Sequence, residues 1–338
     1  MKDKLVTVFP TYGYRDDNGW TVPVRVWVHK ARRVDHITDA DIRALLSDDQ
    51  GGPAPTDEEV IRCRTCVADF IADSDSHEHV VLIDDHGQEL FEFPSRTDAN
   101  GLVEGKLRLP AGRSGRITLT ARVREHGQTF EGRGIATLLE PKGKSVVSDI
   151  DDTIKVTEIP AGKGIVLRNT FLRSFVAAEG MRDRYVGFGD VSFHYVSGSP
   201  WQLFGLLHAF LIDEAKFPPG TFHMKSLRTS VLDLPALLSD LRNLVTGSTA
   251  TKAQKISQIS ELIKHLEGRT FTLIGDSGEL DPEVFTELRE KYGKRVEKIV
   301  IRDVAGARQR APERLKGVDE VIETPMIQRG VSQFTVTG

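Results

Sequence analysis

The segment Lys144-Ser145-Val146-Val147-Ser148-Asp149-Ile150-Asp151-Asp152-Thr153 ends a short β-branched run in three carboxylates and a hydroxyl. Val146 and Val147 read as a buried strand that delivers Asp149 to a sheet's carboxyl end. Side chains alternate with period two, so Asp149 and Asp151 can face one side while Asp152 points away. Crowded carboxylates are costly unless a cation or a chemical task holds them, and open α/β sheets bind ligands at this end. An acidic turn or the N-cap of a following helix is the plain alternative, and the rest of the chain decides between them.

Three further stretches carry candidate chemistry. In YVSGSPWQLFGLLHAF a strand finishes at Ser197, and Gly198-Ser199-Pro200 opens a helix with Ser199 as N-cap and Pro200 in the first turn. A hydroxyl, a glycine and free helix-start amides suit phosphate oxygens. In TFTLIGDSGELDPEVF, Asp276 follows its strand as Asp149 follows its own, and the two offer hard oxygen ligands of the kind Mg2+ takes. Asp281-Pro282 in the same stretch also fits an ordinary helix start. Lys252 opens the helix TATKAQKISQISELI, where an ammonium directed at the carboxylates would neutralise phosphate and nucleophile charge. Lys255, three residues on, competes for that role.

The elements that must position these groups divide the chain. Length suggests two domains among 338 residues. Residues 1–143 carry alternating β patterns around Asp16-Asp17-Asn18-Gly19 and Asp98-Ala99-Asn100-Gly101, which predicts an all-β, sandwich-like domain with a helical insertion at about 37–73. The polar linker Glu140-Pro141-Lys142-Gly143-Lys144 marks the boundary. Residues 144–338 alternate strands (VVSD, 191–197, 270–276, 297–303, 319–323) with helices (about 200–215, 252–266, 282–292). That alternation predicts an α/β domain with a doubly wound parallel sheet, carrying an insertion at about 217–247. The insertion holds His223, Lys225 and Arg228, candidates for a second anionic group on a ligand. The basic stretch Arg302 to Lys316 could meet anionic lipid heads, although Asp303 and Glu313 interrupt it.

Cys63 and Cys66 form a C-x-x-C pair with no further cysteines to complete a zinc site, and the apolar spacing around them reads as two thiols on a helix. A net charge of -4 and a pI near 6.2 give no electrostatic footprint for nucleic acid. No apolar run is long enough to span a bilayer, so the expectation is a soluble, cytoplasmic protein or one peripheral to membranes.

Taken in order, SDIDDTIK, Asn169-Thr170-Phe171-Leu172, SGSPWQL, Phe217-Pro218-Pro219-Gly220, GDSGELDPE and Ile301-Arg302-Asp303-Val304 resemble the haloacid-dehalogenase-like (HAD-like, Rossmannoid) phosphohydrolases. More narrowly, residues 144–325 resemble the catalytic domain of actin-patch-type phosphatidate phosphatases, which is similar to the lipin phosphatase domain. The resemblance implies Asp149 as nucleophile and Asp151 as general acid and base. It implies Ser197, with the following amides of Gly198 and Ser199, as the phosphate site, Thr153 as a brace of the loop beside the phosphate, and Lys252 as the charge-stabilising lysine. It also implies Mg2+ held by Asp149, Asp276 and the Asp151 carbonyl, with Asp281 as ligand or support. Two departures stand out: Gly198 replaces the family's asparagine, and Thr251 stands where a histidine precedes the lysine. The implied activity is hydrolysis of a phosphomonoester, with phosphatidate at a membrane surface as substrate. A soluble phosphomonoester, or a non-catalytic lipid- or protein-binding adaptor, is the alternative.

Overall fold

The computed structural model describes residues 4–30, 38–40, 42–43, 55–70, 73–84, 86–225 and 249–324, and its strands form one mixed and one parallel sheet. The mixed sheet contains β1 (Lys4–Val8), β2 (Thr11–Asp16), β3 (Gly19–Lys30), β4 (Asp73–Ser74), β5 (Val80–Ile83), β6 (Glu89–Glu92), β7 (Leu102–Leu109), β8 (Gly115–Glu125) and β9 (Gln128–Leu138). Its order is β1-β3-β2-β9-β8-β5-β6, with β4 and β7 also on β3, and only the β2–β9 pairing is parallel. Val22, Val24, Val26 and Val28 alternate along β3 and bury one face against Leu119, Ala121 and Val123 of β8. The β2–β3 turn closes on Asp17 and Asn18: Asp16 pairs with Gly19, whose φ of +131° suits glycine.

Helix α1 (Asp57–Phe70) opens with a capping box, because the Thr56 amide donates to Glu59 (3.0 Å) and the Glu59 amide to the Thr56 hydroxyl (3.2 Å). Cys63 and Cys66 both lie on this helix, and Cys63 is buried in the core. Within the span read as helical at 37–73, the described residues are helical at 39–40, 42–43 and 57–70, and β4 has already begun at Asp73.

The parallel sheet contains β10 (Gly143–Ser148), β11 (Ser192–Pro200), β12 (Gly220–Lys225), β13 (Arg269–Asp276), β14 (Val296–Asp303) and β15 (Glu320–Glu323). Its order is β12-β11-β10-β13-β14-β15 with every pairing parallel. The chain enters at central β10, winds outward through β11 and β12, then crosses back to β13 on the other side. That reversal opens a crevice at the carboxyl end of β10, where ligands of such sheets sit. Successive residues go to opposite faces. Val146, Tyr195, Ile274 and Val300 pack with α2 (Lys163–Leu167), the π-helical turn Arg168–Leu172, α3 (Met181–Val186) and α4 (Phe204–His208). Val147, Val196, Leu273 and Ile299 pack with α5 (Thr249–His265) and α6 (Asp281–Tyr292). A last short helix, α7 (Ala307–Arg310), follows β14.

Two expectations change here. The segment read as an insertion from 217 supplies the edge strand β12, so His223 is half-buried and hydrogen-bonded to Thr221 (2.8 Å). Residues 226–248, with Arg228, lie outside the described residues. The helix expected over 200–215 is broken into a 3-10 turn (Trp201–Leu203), α4 and a π-helical turn (Ala209–Glu214).

The linker at 140–144 separates the sheets but not their cores. Phe9 packs 4.3 Å from the Trp201 ring, and Trp27, Val60 and Cys63 join the same core as Val146. Arg269 pins the crossing, donating to the carbonyls of Glu140 (3.0 Å) and Lys142 (3.3 Å) and to the hydroxyls of Ser145 (3.0 Å) and Ser192 (3.1 Å).

Candidate active site

β10 ends at Ser148, and the Asp149 amide still donates to the Ile274 carbonyl (2.9 Å), so Asp149 stays registered with β13 as it leaves the sheet. β13 delivers Asp276 beside it, and α6 begins with Asp281. One oxygen from each of Asp149, Asp276 and Asp281 lies within 4.8 Å of the others, and all three residues are buried. Gly275 makes room for this: a side chain there would meet Asp281 Oδ2 at 2.3 Å. Lys255 reaches in from α5, its Nζ lying 2.8 Å from Asp149 Oδ1, 2.6 Å from Asp281 Oδ1 and 2.8 Å from Glu279 Oε2. Burial and mutual repulsion hold Asp149, Asp276 and Asp281 above the usual carboxylate range, although Lys255 opposes this. The same carboxylates hold Lys255 charged despite its burial.

The loop after Asp149 divides its acids by task. Burial would raise Asp151, but the Lys155 ammonium (3.0 Å), the Thr157 hydroxyl (2.7 Å) and the Ser199 hydroxyl (3.1 Å) outweigh it and hold the carboxylate below its ordinary range. Asp152 turns the other way at φ +56° and accepts the amides of Thr157 (2.8 Å), Glu158 (2.7 Å) and Ile159 (2.6 Å), while Arg302 holds its carbonyl (2.6 Å). The buried Thr153 hydroxyl donates to Asp149 Oδ2 (3.1 Å). Asp151, Gly198, Ser199 and Glu279 share a cleft with the apolar side chains of Ile159, Val166, Phe171 and Leu203.

Residues 144–303 match the family described as "Phosphatidate phosphatase APP1, catalytic domain". Those residues are similar to an APP1-type phosphatidate phosphatase domain. The chain is 28% identical over 229 residues to "Phosphatidate phosphatase APP1" of Saccharomyces cerevisiae, covering 65% of this chain and 37% of that protein. It is also 28% identical over 195 residues to an uncharacterized protein of Schizosaccharomyces pombe, covering 55% of this chain and 30% of that one. The chain thus spans about a third of the length of these curated relatives. Among solved structures, a β-glucuronidase of Bacteroides uniformis aligns over 95% of this chain and 35% of its own, at 10% identity and a TM-score of 0.27, too low to bear on the fold.

Within residues 144–303 the structure revises several sequence expectations. Lys252 does not face the carboxylates. It pairs with Glu287 (2.8 Å) on α6, and Lys255, one helical turn later, fills the site. The residue before the site lysine is therefore Gln254. Ser199 caps no helix, because β11 runs through Pro200, which pairs with Lys225, and the 3-10 turn begins after it. The Ser199 amide is taken by the Ser197 hydroxyl (2.9 Å) and its own hydroxyl by Asp151, so Ser197 is fully buried beneath Gly198 and Ser199, which line the cleft. Asp281 is the first residue of α6 and not its N-cap, which is Leu280. Its two oxygens accept from Lys255 and from the Asp276 amide (3.3 Å). The departure at Gly198 faces α5: a Cβ there would lie 3.1 Å from the Thr251 methyl, so a larger residue at 198 requires Thr251 to yield.

Glu279, Lys155 and Thr157 escaped the sequence reading as site residues. Glu279 lies between Asp276 and Asp281 in one motif, and Lys155 is four residues after Asp151, so proximity to the acids was the available signal.

Proposed function

We propose that this chain is a Mg2+-dependent phosphatase that hydrolyses a phosphomonoester, phosphatidate at a membrane surface, through an aspartyl-phosphate on Asp149. In this reading residues 1–143 form a sandwich-like domain and residues 144–338 a HAD-like, doubly wound domain. The observation that carries it is the buried set of Asp149, Asp276 and Asp281 around one lysine at the switch point of the parallel sheet.

The donor set fits Mg2+. It is all oxygen and carries more negative charge than Lys255 cancels, and Asp276 Oδ2 is buried without a hydrogen-bond partner among the described residues. Asp149, Asp276 and the Asp151 carbonyl would hold the ion, with Asp281 fixing Lys255 and the Asp276 amide. Bound there, Mg2+ supplies charge neutralisation for the incoming phosphate.

The chain's own residues perform the rest. A carboxylate oxygen of Asp149 attacks phosphorus as the bond to the ester oxygen breaks, and Asp151 protonates the leaving alkoxide. Asp151 is ionised in the free protein, and the arriving phosphate dianion beside it favours its protonated form. Water then attacks the aspartyl-phosphate while Asp151 takes its proton, releasing inorganic phosphate and restoring Asp149. Lys255 and the Thr153 hydroxyl hold the Asp149 carboxylate in place. The apolar side of the cleft next to Asp151 favours a lipid alcohol as leaving group over a charged one.

The test is phosphate release from phosphatidate vesicles and from soluble phosphomonoesters, each with and without Mg2+. Release confined to phosphatidate with Mg2+ is expected. Equal rates on soluble esters would reassign the substrate, and no release from any ester would remove the enzymatic reading.

A further inference from the structure

A cavity of about 560 Å³ opens where the two sheets meet, at the amino ends of β11 and β12, and therefore at the opposite end of the parallel sheet from Asp149. Its inner surface carries the buried apolar side chains of Val8, Phe193 and Phe204 beside the buried polar side chains of His194 and Thr221. One wall is the outer face of the β8–β9 hairpin. Arg133, Ile135 and Thr137 share that face by alternation, and the register sets Arg116 opposite Thr137. Ile135 is 49% exposed there, a β-branched apolar side chain left facing an open hollow. Arg116 and Arg133 both reach the cavity and are exposed, and their guanidinium groups have no ion-pair or hydrogen-bond partner among the described residues.

Charge and size together restrict what would fill it. Asp190 is the acid among the lining residues, set against two guanidinium groups, and burial holds His194 and His208 below their ordinary range, so both are neutral near pH 7. The cavity is within the size range of small-molecule sites, which pair an apolar body with a few placed polar groups. Guanidinium groups suit carboxylate and phosphate oxygens, and the apolar side chains of the lining suit an aliphatic chain.

We propose that this cavity binds an anionic amphiphile, with its aliphatic chain against Phe193, Phe204 and Ile135 and its carboxylate or phosphate head at Arg116 and Arg133. The site is separate from the phosphatase centre and does not depend on the reading of that centre.

The experiment is calorimetric titration of the full chain with decanoate and with decylphosphonate, below micelle formation, beside decanol and acetate. One saturable site for either anionic probe, with decanol and acetate at least about tenfold weaker, is expected. The relative affinities of the two anionic probes identify the preferred head. Arg116→Ala combined with Arg133→Ala should weaken binding at least about tenfold, as should Ile135→Glu alone, while Asp149→Asn should leave it unchanged. All these cavity positions are exposed, so the variants are expected to fold, and circular dichroism checks it. Absence of saturable binding, equal binding of decanol, or full binding by both cavity variants would overturn the proposal.

Discussion

Two clusters in this molecule are built from the same residue types and have opposite electrostatics. Around Lys4, the ammonium lies 3.0 Å from Asp75, 2.6 Å from Glu78 and 2.9 Å from Glu125, and Lys30 adds a second ammonium 2.9 Å from Asp75. These carboxylates keep between 14% and 30% of their side-chain exposure. Burial tends to raise Asp75, but its hydrogen bonds to Lys30 and Lys4 hold it below its ordinary range. Glu125 is lowered chiefly by Lys4. Lys4 itself, which burial alone would lower, is pushed up to about 12 by its three partners. Around Lys255 one ammonium serves Asp149, Glu279 and Asp281 with Asp276 alongside, in a setting closed to water, and the three aspartates rise instead of falling. Two ammoniums for three hydrated carboxylates make a satisfied ion-pair network. One ammonium for four carboxylates, three of them fully enclosed, leaves negative charge that a cation or a reaction must use.

The sharpest way to break this comparison is at Asp149. Asp149→Asn should lower phosphate release by a factor on the order of 10⁴ or more, since nothing else attacks phosphorus. It should also leave the melting temperature of the metal-free protein equal or higher, because it relieves repulsion among buried carboxylates. Residual turnover within tenfold of wild type would remove Asp149 as nucleophile. Next in size is the choice of lysine. Lys255→Met should cost about 10²- to 10³-fold in kcat, whereas Lys252→Met, which loses only its contact with Glu287, should leave kcat unchanged. The reverse ranking in steady-state kinetics would restore Lys252 to the site.

The metal can be tested without turnover. Added Mg2+ should raise the melting temperature saturably, by an amount equivalent to about 2.7 kcal/mol at a hundredfold excess over its Kd. Asp276→Asn, which alters the one orphaned carboxylate oxygen of the cluster, should abolish that shift. Lys4→Met should retain it, because Lys4 and its carboxylates lie outside the Asp149, Asp276 and Asp281 set. A shift retained in Asp276→Asn and enlarged in Lys4→Met would place the ion at the carboxylates around Lys4 instead.

The sequence made most of the parallel half legible because four of its six strands carry a chemical handle at the carboxyl end: Asp149, Ser197, Asp276 and Asp303 all follow apolar runs. Lys252 and Lys255 were harder to separate. They lie three residues apart on one helix, and which one meets Asp149 depends on how α5 is rotated against β11 and α6, a tertiary property without a local signal. Ser199 followed by proline reads as a helix start, yet the pairing of Pro200 with Lys225 keeps the backbone extended, and this needs a strand, β12, that was read as an insertion. The Lys4 cluster could not be read at all. Its members come from β1, from the turn after β4 and from the end of β8, brought together only by the mixed sheet.

The smallest predicted effects belong to that cluster and concern stability alone. Lys4→Met should leave phosphate release untouched and cost about 2–3 kcal/mol in urea unfolding at pH 7, less than a wholly buried pair because the carboxylates keep water. Its pH dependence identifies the cause. Burial pushes His29 down to about 4 from 6.5, so between these values the unfolded chain binds a proton that the folded one refuses, and stability falls as pH falls. That limb should be the same in wild type and variant. Asp75 and Glu125 are depressed from 3.8 and 4.5, so their contribution is complete above those values and is lost as pH falls through the folded values. Without Lys4 the depression shrinks, and the curve below about pH 4.5 should flatten. At the other end Lys4, raised from 10.5 to about 12, contributes fully below 10.5 and loses that contribution as pH rises through about 12, so the variant should lack this alkaline fall. Parallel wild-type and variant curves across both limbs would mean that Lys4 packs in the sheet without organising its carboxylates, and the contrast with Lys255 would then rest on burial alone.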